Sequence, residues 1–243
     1  MDKVYLSVII PAYNEELRVP LTLIEIDKYL RESDFSYEIL VVNDGSTDKT
    51  AEIVKRMQKD IKNLRLIDNK VNKGKGGVVK QGMLEAKGSI RLFTDADNST
   101  SISEFYKMIP FFNNGYDVVI GSRALKESRL DPPQPLIRQV LGKLGNIFIR
   151  MMVLPGIYDT QCGFKAFSEE AAKKIFLLSK ITGWGFDVEI LALAKKLGYK
   201  IKEVPVVWVN DIRSHVGAKA YLQVLIETIK IRWWLWSNQY KLK

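Results

Sequence analysis

Along the first half of the chain, short unbroken apolar runs alternate with stretches whose apolar residues recur at helical spacing. Residues 4–10 are apolar and β-branched and stop at Pro11; residues 38–42 are closed by Asn43-Asp44-Gly45-Ser46. Residues 64–67 make a third run, residues 89–94 a fourth that stops at Asp95-Ala96-Asp97, and residues 117–121 a fifth. Short runs bounded by turn formers predict buried strands. Between them, residues 18–31 carry Leu21, Ile24 and Leu30 at helical spacing, and Thr47 or Asp48 can cap a helix reaching about Lys59. Gly74-Lys75-Gly76-Gly77 opens a helix ending near Gly88, and residues 103–113 are helical. Repeated strand–helix units predict an α/β domain with a mostly parallel sheet and helices on its faces. Ligands in such sheets bind beyond the carboxyl ends of the strands. Asn14, Glu15, Asp44, Asp95, Asp97 and Arg123 all follow predicted strand ends and can converge on one cleft.

The second half is less regular. Residues 129–135 read as a loop with three prolines, and residues 136–154 as an apolar stretch interrupted by Arg138, Lys143 and Arg150. A strand over 163–167 and a helix over 168–178 capped by Ser168 follow, then a helix over 186–197. Residues 199–209 carry Pro205 and predict an edge strand. Residues 220–236 form a helix with Leu222, Leu225, Ile226, Ile229, Trp233 and Trp236 on one face. The expected organisation is a catalytic domain over residues 1–218 and a C-terminal amphipathic helix over 219–243.

Composition narrows the classes. With 47% hydrophobic and 27% charged residues, the chain is globular and long enough to bury a core without cross-links. The single Cys162 excludes an internal disulfide framework, and with the single His215 it excludes a metal site built on cysteines or histidines. No apolar run is long enough to span a bilayer and the first residues carry no signal-peptide pattern, so a soluble or peripheral protein facing the cytoplasm is expected. The net charge of +9 is uneven: residues 1–121 hold 17 Lys/Arg against 18 Asp/Glu, whereas residues 195–243 hold 10 against 3. A basic second half suits an anionic lipid surface or nucleic acid. The balanced, acid-bearing first half argues for an enzyme and against a nucleic-acid module.

Asp95-Ala96-Asp97 is the sharpest chemical feature. Carboxylates two residues apart after a buried strand can serve a divalent cation and a sugar hydroxyl together, and hard oxygen ligands suit Mg²⁺ or Mn²⁺. Alone, such a pair is equally an ordinary turn. Asn43-Asp44-Gly45-Ser46 is a strand-end turn, or it presents Asp44 to a base N–H or a ribose hydroxyl. Pro11-Ala12-Tyr13-Asn14-Glu15 ends a strand and enters a helix, or it sets Tyr13 by a base and Glu15 by a ribose. The Gly74–Gly77 loop lacks the Gly-Lys-Ser/Thr ending of a P-loop and reads as a helix entry along a diphosphate. Asp187 is either a base-like or sugar-hydroxyl contact or a helix N-cap.

Together, PAYNE, VNDGSTD, NKGKGG, DAD and Gly121-Ser122-Arg123, in this order, resemble the family-2 glycosyltransferases of GT-A fold. Asp159-Thr160-Gln161-Cys162-Gly163-Phe164-Lys165 and Gly183-Trp184-Gly185-Phe186-Asp187-Val188-Glu189 are similar to the dolichyl-phosphate β-glucosyltransferase branch, related to the dolichyl-phosphate mannose synthases. The resemblance implies nucleotide-sugar contacts from Pro11, Tyr13, Glu15, Val42, Asp44, Asp95, Ala96 and Asp97, with the metal on Asp97 and Asp95. It implies acceptor-phosphate contacts from Arg123 and Arg138, and a basic pair, Arg213 and Lys219, closing over the diphosphate. Ser99 stands where mannose synthases often have a glutamine ligand, and Asp187 where they have glutamine.

The implied reaction is inverting transfer of a hexose from a nucleotide sugar, UDP-glucose first and GDP-mannose or UDP-GlcNAc next, to a polyprenyl (dolichyl) phosphate. A phosphate monoester is already anionic near neutral pH, so it can attack without a protein base. The second expectation is glycan extension at a sugar hydroxyl with Asp187 as base. Lys230 and Arg232 beside Trp233-Trp234-Leu235-Trp236 predict a helix lying in a membrane interface, against the alternative of a core helix. The chain is then a peripheral protein at the cytoplasmic face, meeting its lipid by surface binding or through a small membrane subunit.

Overall fold

The computed structural model describes residues 3–132, 136–209 and 218–242, with only the backbone over 136–141 and at 218. The elements run in the order β1 (Leu6–Ala12), α1 (Val19–Leu30), β2 (Tyr37–Asp44), α2 (Thr50–Met57), β3 (Leu64–Asn69), α3 (Lys75–Glu85) and β4 (Ile90–Thr94). There follow a 3₁₀ helix (Ile102–Lys107), α4 (Ile109–Asn113), β5 (Val118–Ser122), β6 (Arg129–Asp131), α5 (Leu136–Met152), β7 (Phe164–Ser168) and α6 (Glu169–Leu178). The last elements are α7 (Phe186–Lys196), β8 (Ile201–Pro205), β9 (Val207–Val209) and α8 (Ala218–Trp236).

Among the described residues, seven strands form one sheet in the order β3-β2-β1-β4-β7-β5-β8, in which only β7 runs antiparallel to its neighbours. β1, β4 and β5 are buried along their whole length, as unbroken apolar strands must be when helices cover both faces. One core lies between the sheet and α3, α6 and α7; the other packs α1 and the 3₁₀ helix on the opposite face. β1 pairs with β2 on one side and β4 on the other, so chain order reverses at β1 and opens a crevice beyond these three strands.

Several local expectations are corrected. Residues 103–113 are a 3₁₀ turn and then a short α-helix, because Pro110 lacks the N–H needed to continue a single ladder. The loop expected at 129–135 begins with β6, which pairs in parallel with β9. The single strand expected over 199–209 divides at Val206 into β8, at the sheet edge, and β9. Neither Thr47 nor Asp48 is the N-cap of α2: Lys49 is, while Asp48 accepts from the Thr50 N–H at 2.9 Å one residue further out. Ser168 does cap α6, accepting from the Ala171 N–H at 3.3 Å.

α8 packs on α5 and α7; its Glu227, Thr228 and Ile231 are buried, Val224, Trp234 and Leu235 pack on the same core, and Tyr240 behind it is buried there too. Its other side exposes Leu222, Ile226, Ile229, Trp233 and Trp236, the last at 80%. Among the described residues, no helix is long and apolar enough to cross a membrane.

Candidate active site

The crevice is built from strand ends. After β1 the chain turns through Asn14, whose φ of 55° is left-handed. The Asn14 N–H donates to Ser46 Oγ at 2.9 Å and its side-chain oxygen accepts from the Thr47 N–H at 2.9 Å, stitching the loops after β1 and β2 together. Tyr13 lies exposed in this loop, and Pro11 sits opposite Val42 in the β1–β2 register. Glu15 is gripped by Arg18, whose Nε and Nη2 each donate at 2.6 Å. Burial raises the Glu15 carboxyl above its ordinary range, opposed by Arg18 and reinforced by the charges of Asp97 and Asp95. Asp44, buried at the end of β2, accepts from the Lys73 N–H at 2.6 Å. Burial raises its carboxyl too, against the pull of the Lys73 and Gly74 N–H groups.

The Asp95–Asp97 turn follows β4. The Asp95 N–H donates to the Gly163 carbonyl at 3.2 Å, and Asp95 Oδ1 pairs with Lys75 Nζ at 2.6 Å. Gly163 is a close-approach glycine: a Cβ there would overlap the Asp95 carboxylate. The Ala96 carbonyl accepts from Thr22 Oγ1 at 2.7 Å, which locks the turn onto α1. Asp97 Oδ1 accepts from the Ser99 N–H at 3.0 Å. Burial, then the neighbouring Asp95 charge, pushes the Asp97 carboxyl up. For Lys75, burial favours the neutral amine, but Asp95 and Asp187 outweigh it and hold the ammonium above its ordinary range.

Facing this turn, Arg123 leaves β5 and meets Asp159 with two parallel bonds, Nε at 2.8 Å and Nη2 at 3.0 Å. Asp159 also accepts from the Arg123 N–H at 2.9 Å, and its own N–H donates to Glu203. Burial alone would raise the Asp159 carboxyl; Arg123 overrides it and holds the group at about 2. The guanidinium lies over Trp208 of β9, its carbon 5.5 Å from the ring centroid. It also feels the charge of Asp95, so the anionic and cationic sides of the crevice are electrostatically coupled.

Asp187 is not an N-cap. Gly185 is, and the buried Asp187 carboxylate accepts from Nζ of the fully buried Lys165, which also donates to the Cys162 carbonyl. Burial raises the Asp187 carboxyl, opposed by Lys165 and Lys75. The Cys162 thiol is pushed by burial up to about 12, which makes it inert.

Arg138 stands in the first turn of α5, with its side chain outside the described residues, and Arg213 lies wholly outside them. Lys219 is exposed in the first turn of α8. The structure thus brings Glu15, Asp95 and Asp97 together, with Asp187 joined through Lys75 and Arg123 alongside. Sequence reading sets Lys75 only within a loop along a diphosphate and assigns no role to Lys165 or Asp159. A lysine inside the apolar run of β7 is a signal, because a fully buried lysine requires a partner.

The donor set fits a hard divalent cation. Two carboxylates crowd at the crevice floor, and Ser99 lies against Asp97, its N–H donating to Asp97 Oδ1. This fold and crevice define a glycosyltransferase of GT-A type. The chain belongs to glycosyl transferase family 2, whose family model matches residues 7–176. It is 38% identical to a dolichyl-phosphate β-glucosyltransferase of Dictyostelium discoideum, across the whole of this chain and 78% of that protein. The enzyme of the same name from Saccharomyces cerevisiae is 36% identical over 85% of this chain and 67% of its own length. Among solved structures, glucosyl-3-phosphoglycerate synthase from Mycobacterium tuberculosis in complex with UDP superposes with a TM-score of 0.68 at 20% identity. That match covers 94% of this chain and 80% of the synthase; the same synthase with Mn²⁺, UDP and glucosyl-3-phosphoglycerate gives 0.66. At this identity these neighbours establish the fold.

Proposed function

We propose that the chain transfers glucose from UDP-glucose to dolichyl phosphate with inversion at the anomeric carbon. The observation that carries this reading is the pairing of an acidic floor, Asp95 and Asp97, with a rigidly held cation, Arg123, across one crevice. Similarity to curated dolichyl-phosphate β-glucosyltransferases supports the glucosyl donor and the lipid-phosphate acceptor.

Asp97 and Asp95 would hold Mg²⁺ or Mn²⁺, with the Ser99 N–H steadying Asp97. Bound there, the cation supplies Lewis-acid stabilisation of the departing diphosphate. Tyr13, Glu15 and Asp44, with Pro11, Val42 and Ala96 as the wall, would bind the nucleoside. Arg213 and Lys219 would close over the diphosphate. Arg123 and Arg138 would receive the acceptor phosphate, neutralising its charge as it approaches in line. Asp159 keeps the Arg123 fork from collapsing onto the acidic floor. The acceptor is already anionic and needs no base. The alternative of glycan extension with Asp187 as base is disfavoured, because that carboxylate is buried against Lys165.

The lipid would be met at a surface made by α5 and α8. Leu144, Ile147 and Met151 of α5 are exposed, and so is the apolar stripe of α8, with Lys143, Lys230 and Arg232 exposed beside them. This composition suits the anionic cytoplasmic face of a membrane, with or without a small membrane subunit.

The experiment is incubation with dolichyl phosphate and labelled UDP-glucose, GDP-mannose or UDP-GlcNAc, with Mg²⁺ or Mn²⁺ and with chelator. Metal-dependent formation of lipid-linked glucose is expected. Transfer only to free sugar hydroxyls, or full turnover in chelator, overturns the reading.

A further inference from the structure

Glu227 is a buried acid on α8. Its Oε2 accepts from the Gly185 N–H at 2.6 Å, and its Oε1 accepts from Gln223 Nε2 at 2.9 Å. Gly185 is the N-cap of α7 and has no capping side chain of its own, so a carboxylate from a different helix satisfies an orphan donor there. The approach is possible only because the turn lacks side chains. A Cβ on Gly185 would lie 2.6 Å from Glu227 Oε2, and one on Gly183 would lie 2.6 Å from Oε1 and collide with the Gln223 amide. Between these glycines stands Trp184, with Lys75 Nζ 5.5 Å from its ring centroid. Lys75 in turn holds Asp95 at 2.6 Å. Two residues past Gly185, Asp187 enters the first turn of α7.

We propose that Glu227 is a positioning residue for the donor side of the crevice: from α8 it fixes the Gly183–Gly185 turn, and through it Trp184 and Lys75 against Asp95. The proposal rests on the reading that the Lys75–Asp95 edge faces the donor diphosphate. Glu227 itself touches no substrate.

The test compares Glu227→Ala, Glu227→Gln, Gln223→Ala and Thr228→Val in the full chain. Thr228 is fully buried on the same helix, and its hydroxyl donates only within that helix, to the Val224 carbonyl at 2.7 Å. Hydrogen exchange is followed over residues 180–190, and affinity for UDP with Mn²⁺ is measured by calorimetry. Glu227→Ala is expected to speed exchange at 183–187 and to weaken UDP–Mn²⁺ binding about tenfold, a size within reach of coupling through packed neighbours. Glu227→Gln, which keeps an acceptor for the Gly185 N–H, should stay within about threefold of wild type. Gln223→Ala should show the same pattern at smaller size, and it decides the matter if Glu227→Ala does not fold. Unchanged exchange, unchanged affinity, or an equal loss in Thr228→Val overturns the proposal. A wild-type protein that binds UDP–Mn²⁺ yet makes no lipid-linked glucose sinks the proposed function alone, while the exchange and affinity comparisons still decide the role of Glu227.

Discussion

Asp159→Asn isolates the ion pair that orients Arg123. The carboxylate is held at about 2 against an ordinary 3.8. That gap corresponds to about 2 kcal/mol of folding stability at neutral pH. Solvent screening removes little of it, because the Asp159 side chain is 3% exposed. The substitution costs more than the linkage figure, since the guanidinium then stays largely buried without its counter-charge; breaking a buried pair costs about 3–5 kcal/mol. For a chain of this size the melting temperature should fall by roughly 6–20 °C at pH 7. The sign of the pH dependence follows from the depressed folded value. The contribution is full above the unfolded pKa of 3.8 and is lost as pH falls toward 2. Urea unfolding of wild type and variant at a series of pH values between neutrality and pH ~2.5 reads this directly, and the gap between the two midpoints should narrow steadily as pH falls below ~4. A gap as large in acid as at neutral pH would refute the argument, because the stabilisation would then not come from the carboxylate's charge. Activity adds a second reading: the variant should lose turnover on lipid phosphate while still binding UDP, because only the acceptor-side arginine has been released.

Asp97→Ala should abolish turnover by removing a cation ligand worth several kcal/mol of barrier, and full activity of this variant would exclude the metal reading; turnover on lipid phosphate is the assay. Gly163→Ala should lower turnover by about 10²-fold, because the new methyl displaces Asp95 from Lys75; an unaffected rate shows that Asp95 has room to move. Replacing both Trp233 and Trp236 with serine should weaken co-sedimentation with anionic vesicles without lowering the melting temperature, since both side chains are exposed. A collapse of the fold instead would mean that this stripe is covered in the native protein.

What could be read from the sequence was local, and what could not was pairwise. β1, β2 and β4 are legible because a strand buried on both faces must be apolar without interruption. Their polar ends, Glu15, Asp44 and Asp95–Asp97, are then placed by the fold class alone. β6 was illegible because three partly exposed residues form a strand only when β9, far along the chain, lies beside them. The partners of Lys75, Arg123 and Asp187 were hidden for the same reason: sequence displays a charge but not the opposite charge that folding sets against it. α8 carries the lesson furthest. Its apolar spacing was plain, yet a periodicity cannot say whether the stripe faces inward or outward. In the structure the stripe of Leu222, Ile226, Ile229, Trp233 and Trp236 faces outward, while Ile231 is buried and Val224, Trp234 and Leu235 pack on the core beside the buried Glu227 and Thr228. A helix with apolar residues on both sides can bury polar groups only where those groups find partners. Glu227 finds one in the Gly185 N–H, at the head of the helix that carries Asp187, so the bond that makes its burial tolerable also ties α8 to the crevice.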